Sequence, residues 1–140
     1  MKKKFILLMT LLNIIPIAKA ADNVSNLLDN TDWRGNNCTS YGDGIFQGTY
    51  NFIFKANNRV ESYLEYYDDY ICTKSSGKTD PQVIGSYVVR GFKKEGNNFL
   101  INLSVKMTHL RENVIFNIKL NDNKMQLCWD NRWCSDLVKR

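Results

Sequence analysis

Phe99-Leu100-Ile101-Asn102-Leu103-Ser104-Val105-Lys106-Met107-Thr108-His109 is the stretch from which the fold is read. Phe99, Ile101, Leu103, Val105 and Met107 alternate with a second set that, Leu100 aside, is polar. A period of two is the signature of a β-strand with one face buried and the other toward water. His109 ends the apolar set beside a turn, which makes it a rim residue.

Outward from this stretch the same alternation recurs at Tyr50, Phe52, Phe54; at Val83, Tyr87, Val89 with Gly85 and Gly91; at Val114, Phe116, Ile118, Leu120; and at Met125, Leu127, Trp129. Between the runs stand Asn57-Asn58, Gly96-Asn97-Asn98, Asn121-Asp122-Asn123 and Asp130-Asn131, residues that tolerate the left-handed backbone of tight hairpins. The spacing predicts about eight strands, near residues 32–38, 46–55, 59–67, 83–92, 98–109, 113–120, 124–130 and 132–138. Residues 39–48 and 73–82 read as loops, and a short helix is expected over 22–30, with Val24, Leu27 and Leu28 on one face and Asp22 or Asn23 as cap. The fold class is therefore all-β, a single antiparallel up-and-down barrel in which closure removes the sheet's two edges. A two-layer sandwich has the same alternation and is the alternative.

The start of the chain reads differently. Lys2, Lys3 and Lys4 precede an apolar run and then the small residues around Ala20, the pattern of an export leader over residues 1–20, which leaves residues 21–140 as one domain. The apolar run is interrupted by Asn13 and Pro16 and is shorter than a membrane span of about 20 residues. No membrane span is expected. Of the 19 Lys and Arg the leader holds four, with none of the 14 acids, so the +5 of the whole chain falls to 15 bases against 14 acids. That balance argues against nucleic acid as a partner, because phosphate binding needs bases not cancelled by neighbouring acids. The mature protein is expected to be a periplasmic or secreted monomer.

An even number of cysteines, all beyond the leader, indicates a disulfide framework in an oxidising compartment. Cys128-Trp129-Asp130-Asn131-Arg132-Trp133-Cys134 is symmetric about Asn131, which sets the two sulfurs opposite each other across a hairpin, on the side away from Leu127, Trp129, Trp133 and Leu137. Cys38 is left with Cys72. One histidine and no C-x-x-C pair argue against a metal site, and no cofactor motif is present: Gly77-Lys78-Thr79 lacks the upstream glycine of a phosphate loop, since Cys72 stands there. Glu61 and Glu65 alternate with Val60, Ser62 and Leu64, as expected for the outer face of an ordinary strand. No catalytic constellation emerges.

Leu27-Leu28 followed by Trp33-Arg34-Gly35, a meander of hairpins and a late cysteine resemble the lipocalin-like, or calycin, group of small exported barrels. Thr31 stands where that group's G-x-W segment has glycine. The resemblance implies that Trp33 packs at the closed end against a basic residue, Arg132 or Arg140. It also implies a non-catalytic binding protein taking a small apolar or amphipathic ligand at the open end, with Phe52, Phe54, Tyr87, Val105, Met107 and Phe116 as lining. Alternatively the chain resembles the disulfide-stapled barrels that inhibit lysozyme, with Tyr70-Ile71-Cys72 matching one Tyr-x-Cys element. That resemblance implies a protein partner held by a protruding loop containing Ser75, Ser76 and Lys78.

Overall fold

The computed structural model describes residues 17–140. One helix, α1 (Ile17–Leu28), is followed by strands β1 (Thr31–Gly35), β2 (Thr39–Tyr41), β3 (Phe46–Lys55), β4 (Arg59–Tyr67), β5 (Ser75–Lys78), β6 (Gln82–Glu95), β7 (Asn98–Met107), β8 (Asn113–Asn121), β9 (Lys124–Trp129) and β10 (Trp133–Lys139). Eight of them close a ring: β1 pairs with β3, then β4, β6, β7, β8, β9 and β10 follow in turn, and β10 returns to β1, every pairing antiparallel. The sandwich alternative is thereby set aside. The hairpin residues behave as their chemistry dictates, since Asn58, Gly96, Asp122, Asp130 and Asn131 all have left-handed backbone.

The ring is filled by the inward set of each strand. Leu103 pairs with Phe116, Ile101 with Ile118 and Val105 with Val114 across β7 and β8, and all six are buried. Trp33, Phe54 and Phe116 are fully enclosed. Phe52 from β3 meets Phe116 from β8 with ring centres 6.5 Å apart, so aromatic side chains of different strands bridge the interior. The helix plugs one end, with Ala20, Val24 and Leu28 buried in the same core and Leu27 partly so.

Four expectations need correction. The helix begins at Ile17 rather than near Asp22, so it runs through the Ala20-Ala21 junction, and Asp22 and Asn23 lie inside it instead of capping it. Residues 1–16 of the expected leader lie outside the described residues. Gly91 faces outward, because a bulge between Val89 and Gly91 shifts the register by one and turns Phe92 inward onto Phe99, at 5.8 Å. Trp133 is 77% exposed, since it opens β10 at the hairpin end, although its parity matches that of buried Leu137. Residues 39–48 and 73–82 are not wholly loop: they supply β2 and β5, whose backbones pair with the parts of β3 and β4 that overhang the ring.

Gly85 is required by close approach, as a Cβ there would lie 2.7 Å from the Lys106 carbonyl oxygen.

Candidate functional site

The residues expected to line a ligand cavity are brought together, but as packing. Phe52, Phe54, Tyr87, Val105 and Phe116 belong to the buried core, and Met107 packs against it partly buried. Clefts of about 540, 470, 360 and 140 Å³ form elsewhere, and none is lined by any of these six. The Tyr87 hydroxyl is held well above its ordinary range, first by burial and then by Asp29, so it stays a neutral phenol.

The other end of the barrel is built differently. There β2, the first residues of β3, the last of β4, and β5 form a short four-stranded extension beyond the ring. Cys38, just before β2, is bonded to Cys72 in the β4–β5 loop. That loop is organised by one carboxylate. Asp69 accepts hydrogen bonds from the backbone N–H groups of Ile71 (3.2 Å), Thr73 (2.8 Å) and Lys74 (2.7 Å) and from the Thr73 hydroxyl (2.5 Å). These donors, the Thr73 hydroxyl foremost, hold its carboxyl below the usual carboxylate range. Because the backbone folds inward onto Asp69, Tyr70 and Ile71 project outward, 84% and 75% exposed. At the β2–β3 tip Ile45 is 74% exposed, beside Phe46, whose ring lies 5.6 Å from that of Tyr66. Four large apolar side chains thus stand in water, two at the β2–β3 tip and two on the loop that the disulfide ties to the start of β2.

Beneath the loop the outer face of β3 and β4 carries a polar network. Thr49, Asn51, Tyr63, Glu65 and Tyr67 are buried although their parity is outward, which corrects the expectation of an ordinary solvated face. Arg34 stacks over the Tyr67 ring at 5.1 Å and donates to the Cys72 carbonyl at 2.6 Å, tying β1 to the disulfide. The Tyr63 hydroxyl donates to the Asp32 carboxylate at 2.9 Å, and burial together with Asp32 pushes its pKa up to about 12. Arg140 pairs with Glu65, Lys78 lies over the Tyr63 ring at 5.5 Å, and Asn51 accepts from the Gly35 N–H at 3.0 Å. Ser75, Ser76 and Lys78 are exposed on β5, so the expected protruding loop is a strand there. Among the described residues its one strand partner is β4, and its opposite edge carries no strand.

The second disulfide, Cys128–Cys134, joins residues directly opposite in the β9–β10 register and closes the hairpin as expected. Trp33 is fully buried and donates through its indole N–H to Thr31 at 2.7 Å. Of the two basic residues considered for it, Arg132 lies in the hairpin at the far end of β10, and the Arg140 guanidinium turns outward to Glu65. His109 is exposed in the turn after β7, and Glu61 lies between Lys55 and Arg59 at 3.7 Å from each. Among the described residues no group of three His, Cys, Asp or Glu side chains is placed to hold a metal, and no helix is long and apolar enough to cross a membrane.

No family model, curated protein or solved structure matches this chain. The parts that Asp32, Arg34, Asp69 and Arg140 play in building the extension were missed by sequence reasoning. The usable signal was Tyr63 and Tyr67, two aromatic rings on a strand face assigned to water.

Proposed function

We propose that this chain is an exported, non-catalytic binding protein that engages a protein partner through the disulfide-clamped extension. The carrying observation is the exposure of Ile45 and Phe46 at the β2–β3 tip and of Tyr70 and Ile71 on the β4–β5 loop, which Cys72 bonds to Cys38 at the start of β2. Large apolar side chains held rigidly in water cost solubility, and they suit association because little conformational entropy is lost on binding. The free edge of β5, with Ser75, Ser76 and Lys78, adds backbone donors and acceptors beside them. Export is supported by the basic, apolar and small-residue leader and by two disulfides, which persist in oxidising compartments. A lipocalin-like relationship is supported by a helix leading into a first strand with an enclosed tryptophan and by closure of the barrel. A small apolar ligand inside the ring, the competing reading, would have to displace packed side chains.

A hydrolase such as lysozyme is the first partner to test, because of the Tyr-x-Cys element and the stapled barrel. The mature chain should inhibit a lysozyme, and Ile71→Asp or Lys78→Ala should weaken inhibition roughly tenfold or more, as expected for residues central to an interface. Failure to inhibit lysozymes of several structural classes, or inhibition indifferent to both substitutions, rejects this reading.

A further inference from the structure

The largest of the four clefts lies on the outer face of β6, β7, β8 and β9, away from the extension. Register explains why an outer barrel face, normally convex and polar, is hollow and apolar here. The bulge before Gly91 sends Phe92 to the core and leaves Gly91 on the outside, opposite Asn102. A Cβ at Gly91 would meet only the Asn102 Cβ, at 3.7 Å, so the missing side chain opens space instead of relieving a clash. Two residues further along, on the same outer face, Leu100 pairs with Lys93 on one side and Lys119 on the other. An aliphatic floor therefore lies between two ammonium groups. Cys128, bonded to Cys134, adds apolar sulfur to the lining.

The polar groups of the cleft are unevenly engaged. Asn102 donates to the Asn117 side-chain oxygen at 2.5 Å and Asn117 donates to that of Asn131 at 2.7 Å, so these amides form a chain over the floor. Lys93 is paired with Glu95, whose carboxylate also feels the charge of Lys119 from further off, whereas among the described residues no carboxylate lies within ion-pair distance of Lys119. The volume, about 540 Å³, is that of a site for one small molecule.

We propose that this cleft binds a small amphipathic anion, its apolar body over Leu100 and Gly91 and its head at Lys119. The site is independent of the protein-partner surface. A neutral apolar molecule would leave Lys119 without a close counter-charge, and a cation would be repelled by it, so charge selects among otherwise equal apolar bodies.

Decanoate, below its micelle concentration, is the probe. In amide-resolved NMR titration it should move the signals of Gly91, Leu100, Asn102 and Lys119 and leave those of Tyr70 and Ile71 in place. Decyltrimethylammonium should bind about tenfold more weakly or worse, and Lys119→Glu should lower decanoate affinity to a similar degree. Gly91→Leu fills the floor at a position with open space, so the variant should melt as the parent does and lose the titration. Shifts confined to other regions, no saturable shift, or equal binding by parent, Lys119→Glu and Gly91→Leu overturns the proposal. Inhibition of a protein partner should survive both substitutions, so the two readings fail separately.

Discussion

The closed ring and the clamped extension use the same antiparallel pairing and are held by different forces. In the ring, Leu103, Phe116, Val105 and Phe54 are sealed against one another, and stability comes from apolar area removed from water. In the extension Tyr70, Ile71 and Ile45 remain in water, and the backbone is held by Cys38–Cys72, by Asp69 and by the Arg34 bond to the Cys72 carbonyl. Apolar side chains are free for a partner only where something else carries the fold. The extension meets that condition with a covalent bond and charged hydrogen bonds.

Truncation should give the widest separation between the two regions. Phe116→Ala removes a ring from a closed interior and should cost about 3–5 kcal/mol in urea unfolding, while Ile71→Ala should stay within about 0.5 kcal/mol. Comparable losses would mean that Ile71 belongs to the core. The next effect is covalent. Cys38 and Cys72 are 34 residues apart, and opening that loop should lower stability by about 3–4 kcal/mol by the chain-entropy relation, against about 2 kcal/mol for the six-residue separation of Cys128 and Cys134. Thermal unfolding of the two double-serine variants ranks them, and a reversed order would place the structural clamp on the β9–β10 hairpin.

The smallest effect depends on pH. The folded-state pKa of Asp69 is depressed, so the stability it supplies is present above its unfolded value, near 3.9 by reference, and is lost as pH falls through the lower folded value. Between neutral pH and about 4, exchange of the Thr73 and Lys74 amides should therefore stay slow, quickening below that in the parent. In Asp69→Asn those amides should exchange fast at neutral pH. Tyr63 works in the opposite direction: its raised folded pKa supplies stability below about 10 that disappears as pH climbs through about 12, and Tyr63→Phe should remove this alkaline dependence. Identical alkaline unfolding of parent and Tyr63→Phe would take the phenol out of the account.

The ring was legible because alternation is local: each of Phe99, Ile101, Leu103 and Val105 announces its face through its neighbours. The disulfides were legible for a related reason, since symmetry about Asn131 sets Cys128 against Cys134 and leaves one remaining pair. Gly91 was misread because a single bulge, invisible in the residue pattern, inverts all that follows it in β6. The extension was hidden because its bonds are distant in sequence, Arg34 with Cys72 and Arg140 with Glu65, and no periodicity encodes them. Whether the barrel was container or plug was equally closed to alternation, which sets direction and not the fit of opposing walls.

Amide hydrogen exchange of the Cys38→Ser/Cys72→Ser variant tests most directly the claim that one region rests on packing and the other on its clamp. Amides of β2, β5 and residues 68–74 should approach unprotected rates, while those of β7 and β8 should remain the slowest in the molecule. If strands and extension instead lose protection together, to the same opening free energy, the two form one cooperative unit and the contrast drawn between them is wrong.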